Sequence, residues 1–244
     1  MSQCALIISH GQPSDPGRAE ADLAALAARV AGHLPGWRVG SATLAAPGAL
    51  ARAIAAFGVS GRAYPLFMAG GWFTRSYLPS RLAEVGGGNW QVLEPMGCDP
   101  AVHDLTVAQA GQAGAKSLIL AAHGSSRSSV PSDIAGHLAD RIARETPVLK
   151  VEAAFIDQSP QLSQGTNHDP GAVCLPYFAA SGGHVNDDIP RALVAAGFQG
   201  RLLPAVGLAP EIPAIIARAI LAGVPVCAEQ CRWKFGGGLD AKHG

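Results

Sequence analysis

CALIISHG at positions 4–11 and LILAAHG at positions 118–124 are the two stretches on which the fold turns. Each is a short apolar run closed by a His-Gly pair. A run this short, with no polar alternation, reads as a strand buried on both faces of a parallel sheet. His10 and His123 then stand at the carboxyl ends of their strands, the edge where open α/β sheets bind ligands. A polar, turn-rich segment follows His10, from Gln12 to Gly17, and a Ser/Pro-rich loop follows His123.

Outward from these runs, helix and strand patterns alternate. Leu23, Leu26, Ala27 and Val30 recur at helical spacing, which predicts a helix over 19–34. Strand-like runs at 38–44, 62–67 and 90–95 are separated by helical patterns at 49–57 and 77–85, with another helix at 100–110. After the second His-Gly the order recurs. A helix is expected at 133–145, strands at 148–156, 172–178 and 201–204, and helices at 189–196 and 210–221. Such alternation builds βαβ units and a parallel sheet with helices on both faces.

The halves also match residue for residue. His10-Gly11 pairs with His123-Gly124 at an offset of 113, and positions 64–79 pair with 175–190 at 111 with no gap. Gly97-Cys98-Asp99-Pro100 pairs with Gly207-Leu208-Ala209-Pro210 at 110. Repeats fix architecture. The chain is read as two similar doubly wound α/β lobes, 1–113 and 114–244, with a cleft between them as the natural ligand site.

Composition agrees with a globular protein. The 244 residues are 48% hydrophobic and 15% charged, with a formal net charge of zero. There is ample apolar material for a core, and no basic field to recruit nucleic acid or an anionic membrane. No apolar run reaches the ~18 residues that span a bilayer, and the first residues do not read as a signal peptide. The five cysteines do not suggest a disulfide framework, so a cytoplasmic location is expected. Cys4 and Cys174 read as core residues. Cys227 and Cys231 are separated by three residues, unlike the usual zinc or redox spacing.

Duplication supplies an internal control. The second lobe reads SGGHVNDD at 181–188 where the first reads GGWFTRSY at 70–77, so His184 stands opposite Phe73. The second lobe therefore has two strand-end histidines and the first has one. Two imidazoles converging on one cleft suit Co²⁺, Fe²⁺, Ni²⁺ or Zn²⁺. Asp157, at the end of its own strand, adds a carboxylate at the same edge. His33 and His137 fall in helical patterns and are expected at the surface. His103, His168 and His243 lie in no comparable context. Helix capping accounts for at least one of Asp187 and Asp188.

At Leu120-Ala121-Ala122-His123-Gly124-Ser125 with Arg127, and at Pro176-Tyr177-Phe178 with Gly182-Gly183-His184 and Asp188-Ile189-Pro190, the chain resembles the class II chelatases. Within these it is similar to the sirohydrochlorin chelatases of the cobalamin and siroheme pathways. The resemblance spans both lobes, with the motifs concentrated in the second. It implies a tetrapyrrole held between the lobes, His123 and His184 as the paired metal-holding histidines, and Asp157 as the assisting acid. The implied reaction inserts Co²⁺ or Fe²⁺ into sirohydrochlorin or a related tetrapyrrole without ATP. The divalent metal (Co²⁺, Fe²⁺ or Ni²⁺) is then a substrate, no cofactor is required, and neighbouring pathway enzymes are expected partners.

The carboxylate-rimmed macrocycle needs donors. Ser125, Ser126, Arg127 and Ser128 precede a helix whose free N–H groups favour anions; turn and cap chemistry is the plainer reading of the serines. Arg75 and Arg81 are first-lobe candidates for the same task. Gly182 and Gly183 would admit a flat ring close to the backbone, and His10 lines the opposing edge. A histidine phosphatase would carry Arg before its His-Gly, where Ser9 and Ala122 stand here. The Gly-x-Ser-x-Gly of a serine hydrolase is missing. The remaining alternative is a non-catalytic metal or tetrapyrrole carrier, which would use the same histidines.

Overall fold

A computed structural model describes residues 3–165, 169–227 and 231–233. The strands are β1 (Gln3–Ser9), β2 (Trp37–Thr43), β3 (Ser60–Pro65), β4 (Asn89–Val92), β5 (Ser117–Ala122), β6 (Lys150–Phe155), β7 (Val173–Pro176) and β8 (Arg201–Leu202). The helices are α1 (Pro16–Ala31), α2 (Ala49–Phe57), α3 (Leu78–Glu84), α4 (Pro100–Gln112), α5 (Val130–Glu145), α6 (Ile189–Ala195) and α7 (Ile212–Ala222). Two four-stranded sheets result, ordered β2-β1-β3-β4 and β6-β5-β7-β8. All pairings within them are parallel.

The two His-Gly strands are the central strands of their sheets. Successive residues of a strand face opposite ways, and β1 divides its side chains accordingly. Ala5 and Ile7 enter one cluster, while Cys4, Leu6 and Ile8 enter another with Leu50, Ile54, Leu78 and Leu82 of α2 and α3. In β5, Leu118 and Leu120 join Ala5 and Ile7, while Ile119 and Ala121 pack with Ile189 and Leu193 of α6. One face of each sheet therefore feeds a core common to both lobes, and the other closes a smaller core of its own. Each fully buried Ile or Leu in these layers contributes roughly 2–3 kcal/mol.

The shared core is built by exchanged helices. The closing helix of the first repeat, α4, packs beside α5, and the closing helix of the second, α7, packs beside α1 and against β3. The Arg62 guanidinium of β3 donates to the Leu221 carbonyl at 3.0 Å and also to that of Ile220. Residues 224–226 then cover the free edge of β4, with Glu94 N–H bonded to the Val224 carbonyl and Val226 N–H to the Val92 carbonyl. An open sheet edge is thereby removed.

His137 is not a surface residue. It is half-buried on α5, its ring 4.9 Å from Trp233 and 5.6 Å from the fully buried His103. The segment 231–233 folds back over α4 and α5, with the Trp233 indole N–H donating to the Cys98 carbonyl at 2.9 Å. Cys4 and Cys174 are core residues as expected. His168 and His243 lie outside the described residues.

Candidate metal site

Gly124 makes the turn that presents His123. Its φ is +76°, and a Cβ there would stand 2.6 Å from Gln158 and 2.9 Å from Phe155. Only glycine takes that backbone without strain. The Ser125 N–H is bonded to the Gln158 side-chain oxygen at 2.7 Å, and Asp157 N–H to the His123 carbonyl at 2.9 Å. The ends of β5 and β6 are thus tied together, and Asp157 is brought beside His123.

His184 comes from a different device. Residues His184–Asp188 form a single π-helical turn immediately before α6, closed by Ile189 N–H on the His184 carbonyl. Pro190, the second residue of α6, has no N–H to continue an α-helical ladder backward, so the preceding turn widens. In the widened turn His184 and Asp188 share a face, and the His184 Nδ1 lies 2.8 Å from an Asp188 oxygen. Asp188 is therefore the orienting partner of His184 rather than a helix cap, since its side chain makes no capping bond at α6. The i, i+4 spacing of His184 and Asp188 was the available signal for this.

The two imidazoles meet edge to face, with ring centroids 4.6 Å apart and planes at 86°. His123 Nδ1–H donates to the Gly124 carbonyl at 3.0 Å and faces Asp157 at 3.6 Å. A carbonyl only accepts, so Nδ1 of His123 carries the proton; the Asp188 carboxylate fixes the same tautomer in His184. Both rings are left with an unprotonated Nε2 as the donor atom for a cation. His184 is exposed and His123 half-buried, so the pair is open on one side. Among the described residues no group of three or more His, Cys, Asp or Glu side chains is arranged to hold a metal. The carboxylates sit behind the imidazoles instead.

The first lobe repeats the frame without the second imidazole. Its own π-helical turn is Phe73–Tyr77, and His10 meets Phe73 edge to face at 5.3 Å and 82°. Ala45 N–H bonds the His10 carbonyl as Asp157 N–H bonds that of His123. Ala45, Phe73 and Tyr77 thus take the places of Asp157, His184 and Asp188. Gln12, just after His10, reaches the second lobe: Cβ atoms built at Gly183 and Gly182 would lie 3.5 Å and 3.9 Å from its amide. The loop after His10 therefore stands against the Gly182-Gly183 turn.

Other expected donors are distributed less simply. Ser126 and Arg127 are exposed, and the Ser125 hydroxyl accepts the Arg127 N–H at 3.1 Å, so turn chemistry occupies it. Arg75 donates to the Cys227 sulfur at 3.0 Å, and Arg81 is ion-paired with Glu84. Cavities of about 410 Å³ (beside Gln109, Arg201 and Leu208) and 260 Å³ (beside Glu94, Arg218 and Arg232) contain none of the expected site residues. No helix among the described residues is long and apolar enough to cross a membrane.

Comparison with known proteins points one way. A family model described as CbiX matches residues 117–222. The solved structure of a CbiX from denitrifying bacteria, described as the terminal enzyme for biosynthesis of siroheme, is 44% identical. The match covers 90% of this chain and 99% of that one, with a TM-score of 0.83. SirB from Bacillus subtilis with Fe³⁺ shares the fold at 15% identity, over 96% of this chain and 100% of that one, with a TM-score of 0.70. The sirohydrochlorin chelatase SirB from Bacillus subtilis subspecies spizizenii in complex with cobalt does so at 16%, covering 92% and 96%, with a TM-score of 0.67. No curated protein matches the chain.

Proposed function

The chain belongs to the CbiX family, and from that premise we propose that it inserts Co²⁺ or Fe²⁺ into sirohydrochlorin or a related tetrapyrrole, without ATP, in siroheme or cobalamin biosynthesis. The observation that carries the reading is the crossed His123–His184 pair, 4.6 Å apart, with each Nδ1 turned toward a carboxylate. Ligation by two imidazoles leaves most of the coordination sphere of a divalent cation open. A metal that must be handed on requires that openness.

The residues also meet the proton balance. One divalent ion displaces two N–H protons from the macrocycle. As the metal passes to the macrocycle nitrogens, the Nε2 atoms of His123 and His184 are released, and two freed imidazoles can take two protons. Asp188 and Asp157 stabilise the imidazolium forms so produced and keep the rings aimed. Arg127, Ser125, Ser126 and the N-terminus of α5 face the same edge and suit the carboxylate rim. His10, Gly182 and Gly183 line the macrocycle side.

We read the duplicated units as 1–113, whose site is degenerate, and 114–244. The five cysteines are free thiols, which fits a reducing, cytoplasmic location. Exchange of the tetrapyrrole with neighbouring pathway enzymes belongs to the same reading.

The test is spectroscopic. Purified protein with sirohydrochlorin and Co²⁺ should metallate the macrocycle well above the spontaneous rate, and His123→Ala and His184→Ala should return it to that rate. Tight binding without acceleration would replace the enzyme reading with that of a carrier.

A further inference from the structure

Trp72 is the feature of this surface that neither the fold nor the metal pair explains. It is 63% exposed, belongs to no hydrophobic cluster, and stands directly before the first-lobe π-helical turn. Its ring is tilted 32° over Tyr77 at 5.1 Å and meets Phe73 edge-on at 5.4 Å. Phe73 in turn contacts His10 and Phe67. The indole is thus held by aromatic neighbours on one side while its remaining surface faces solvent.

Register makes the position informative. Trp72 corresponds to Gly183, Phe73 to His184 and Tyr77 to Asp188, as the matching turns require: Thr74 and Arg75 bond the Gly71 carbonyl as Val185 and Asn186 bond that of Gly182. Gly183 has an ordinary helical φ of −51°, and a Cβ built there would meet nothing closer than 3.5 Å. Neither backbone nor packing demands glycine at 183, and neither demands a large exposed aromatic at 72. One wall is bare where the other carries a ring; Trp72 is joined through Phe73 to His10, and Gln12, two residues beyond His10, lies against Gly182 and Gly183.

We propose that Trp72, braced by Phe73 and Tyr77, is a stacking platform for the flat conjugated macrocycle. The first lobe then holds the tetrapyrrole by its π-face while the second presents the metal. Aromatic stacking tolerates the partly desolvated rim and fixes a plane, which is what an open two-imidazole site lacks. This inference rests on the chelatase reading, and its test keeps the two separable.

Metal-free sirohydrochlorin is titrated anaerobically by its visible absorption into wild type, Trp72→Ala, Trp72→Phe and His184→Ala; Co²⁺ alone is titrated in parallel, and KM and kcat are measured for each. The expected result is a rise of about tenfold in macrocycle Kd and KM for Trp72→Ala, with kcat and Co²⁺ affinity held, and with most of the loss restored in Trp72→Phe. His184→Ala should behave oppositely, keeping macrocycle binding and losing Co²⁺. Intact Co²⁺ binding in Trp72→Ala also reports that the variant is folded. Macrocycle Kd and KM within twofold of wild type in that variant would overturn the platform while leaving the chelatase reading in place. A wild type that neither binds nor metallates sirohydrochlorin would instead remove the reading beneath it.

Discussion

The two lobes differ less in shape than in what they can do. Both end their central strand in His-Gly at positive φ, +77° at Gly11 and +76° at Gly124, and both place a ring across that histidine at nearly a right angle. In the second lobe the ring is His184, backed by Asp188, with Asp157 beside its partner. In the first it is Phe73, backed by Tyr77, with Ala45 where a carboxylate would be. At these three positions, side chains alone separate the proposed metal-holding edge from an aromatic one on the same backbone. After duplication, selection on such a frame can act through side chains alone.

That comparison can be broken by making the first lobe resemble the second. The combined variant Ala45→Asp, Phe73→His and Tyr77→Asp should acquire a second Co²⁺ site, seen as a doubled stoichiometry in anaerobic titration. Failure to gain a site in a folded variant would show that more than these side chains distinguishes the lobes. A smaller change sharpens the comparison from the other side. Asp188→Asn keeps the size of the partner but removes its charge, and it should lower Co²⁺ affinity and turnover by about 10–100-fold. Asp157→Asn should cost less, because Asp157 stands 3.6 Å from Nδ1 against 2.8 Å for Asp188.

A separate effect, on stability rather than on metal binding, concerns the cover over α4 and α5, outside the lobe edges. Burial lowers the pKa of His103 to about 4, and burial also lowers that of His137. Both rings lie against Trp233, and His103 Nε2–H donates to the Gly97 carbonyl at 2.8 Å. An imidazole whose folded pKa is depressed favours folding fully above its unfolded value near ~6.5. The stabilisation is lost as pH falls through the window from ~6.5 toward 4, on the order of 3 kcal/mol for His103. Thermal unfolding between pH 7 and 4 should show that loss, and His103→Gln should flatten it. Tm that is flat over this window in wild type would contradict the assignment.

Much of this was legible before any coordinates. The buried central strands, the His-Gly ends and the in-register repeat gave both sheets, and the helix over 49–57 has the bounds the pattern predicts. Only α1 and α5 start upstream of the patterns expected at 19–34 and 133–145. Here α1 begins at Pro16, where Asp15 accepts the Arg18 N–H, and α5 begins at Val130 ahead of Pro131. Proline in the first turn costs no hydrogen bond, because its missing N–H has no partner there, so a helix can start ahead of it. The π-helical turns leave no hydrophobic periodicity in one widened turn, and only the i, i+4 spacing of His184 and Asp188 points to their pairing. The exchange of α4 and α7 and the burial of His137 under Trp233 depend on contacts distant in sequence, which local spacing does not encode.

In the proposed reading one lobe alone holds the metal. Anaerobic titration of Co²⁺ into wild type and His184→Ala, followed by the visible d–d bands of the bound ion, tests it most directly. One Co²⁺ per chain is expected in wild type and none in the variant. Two ions per chain, or one that persists without His184, would contradict it.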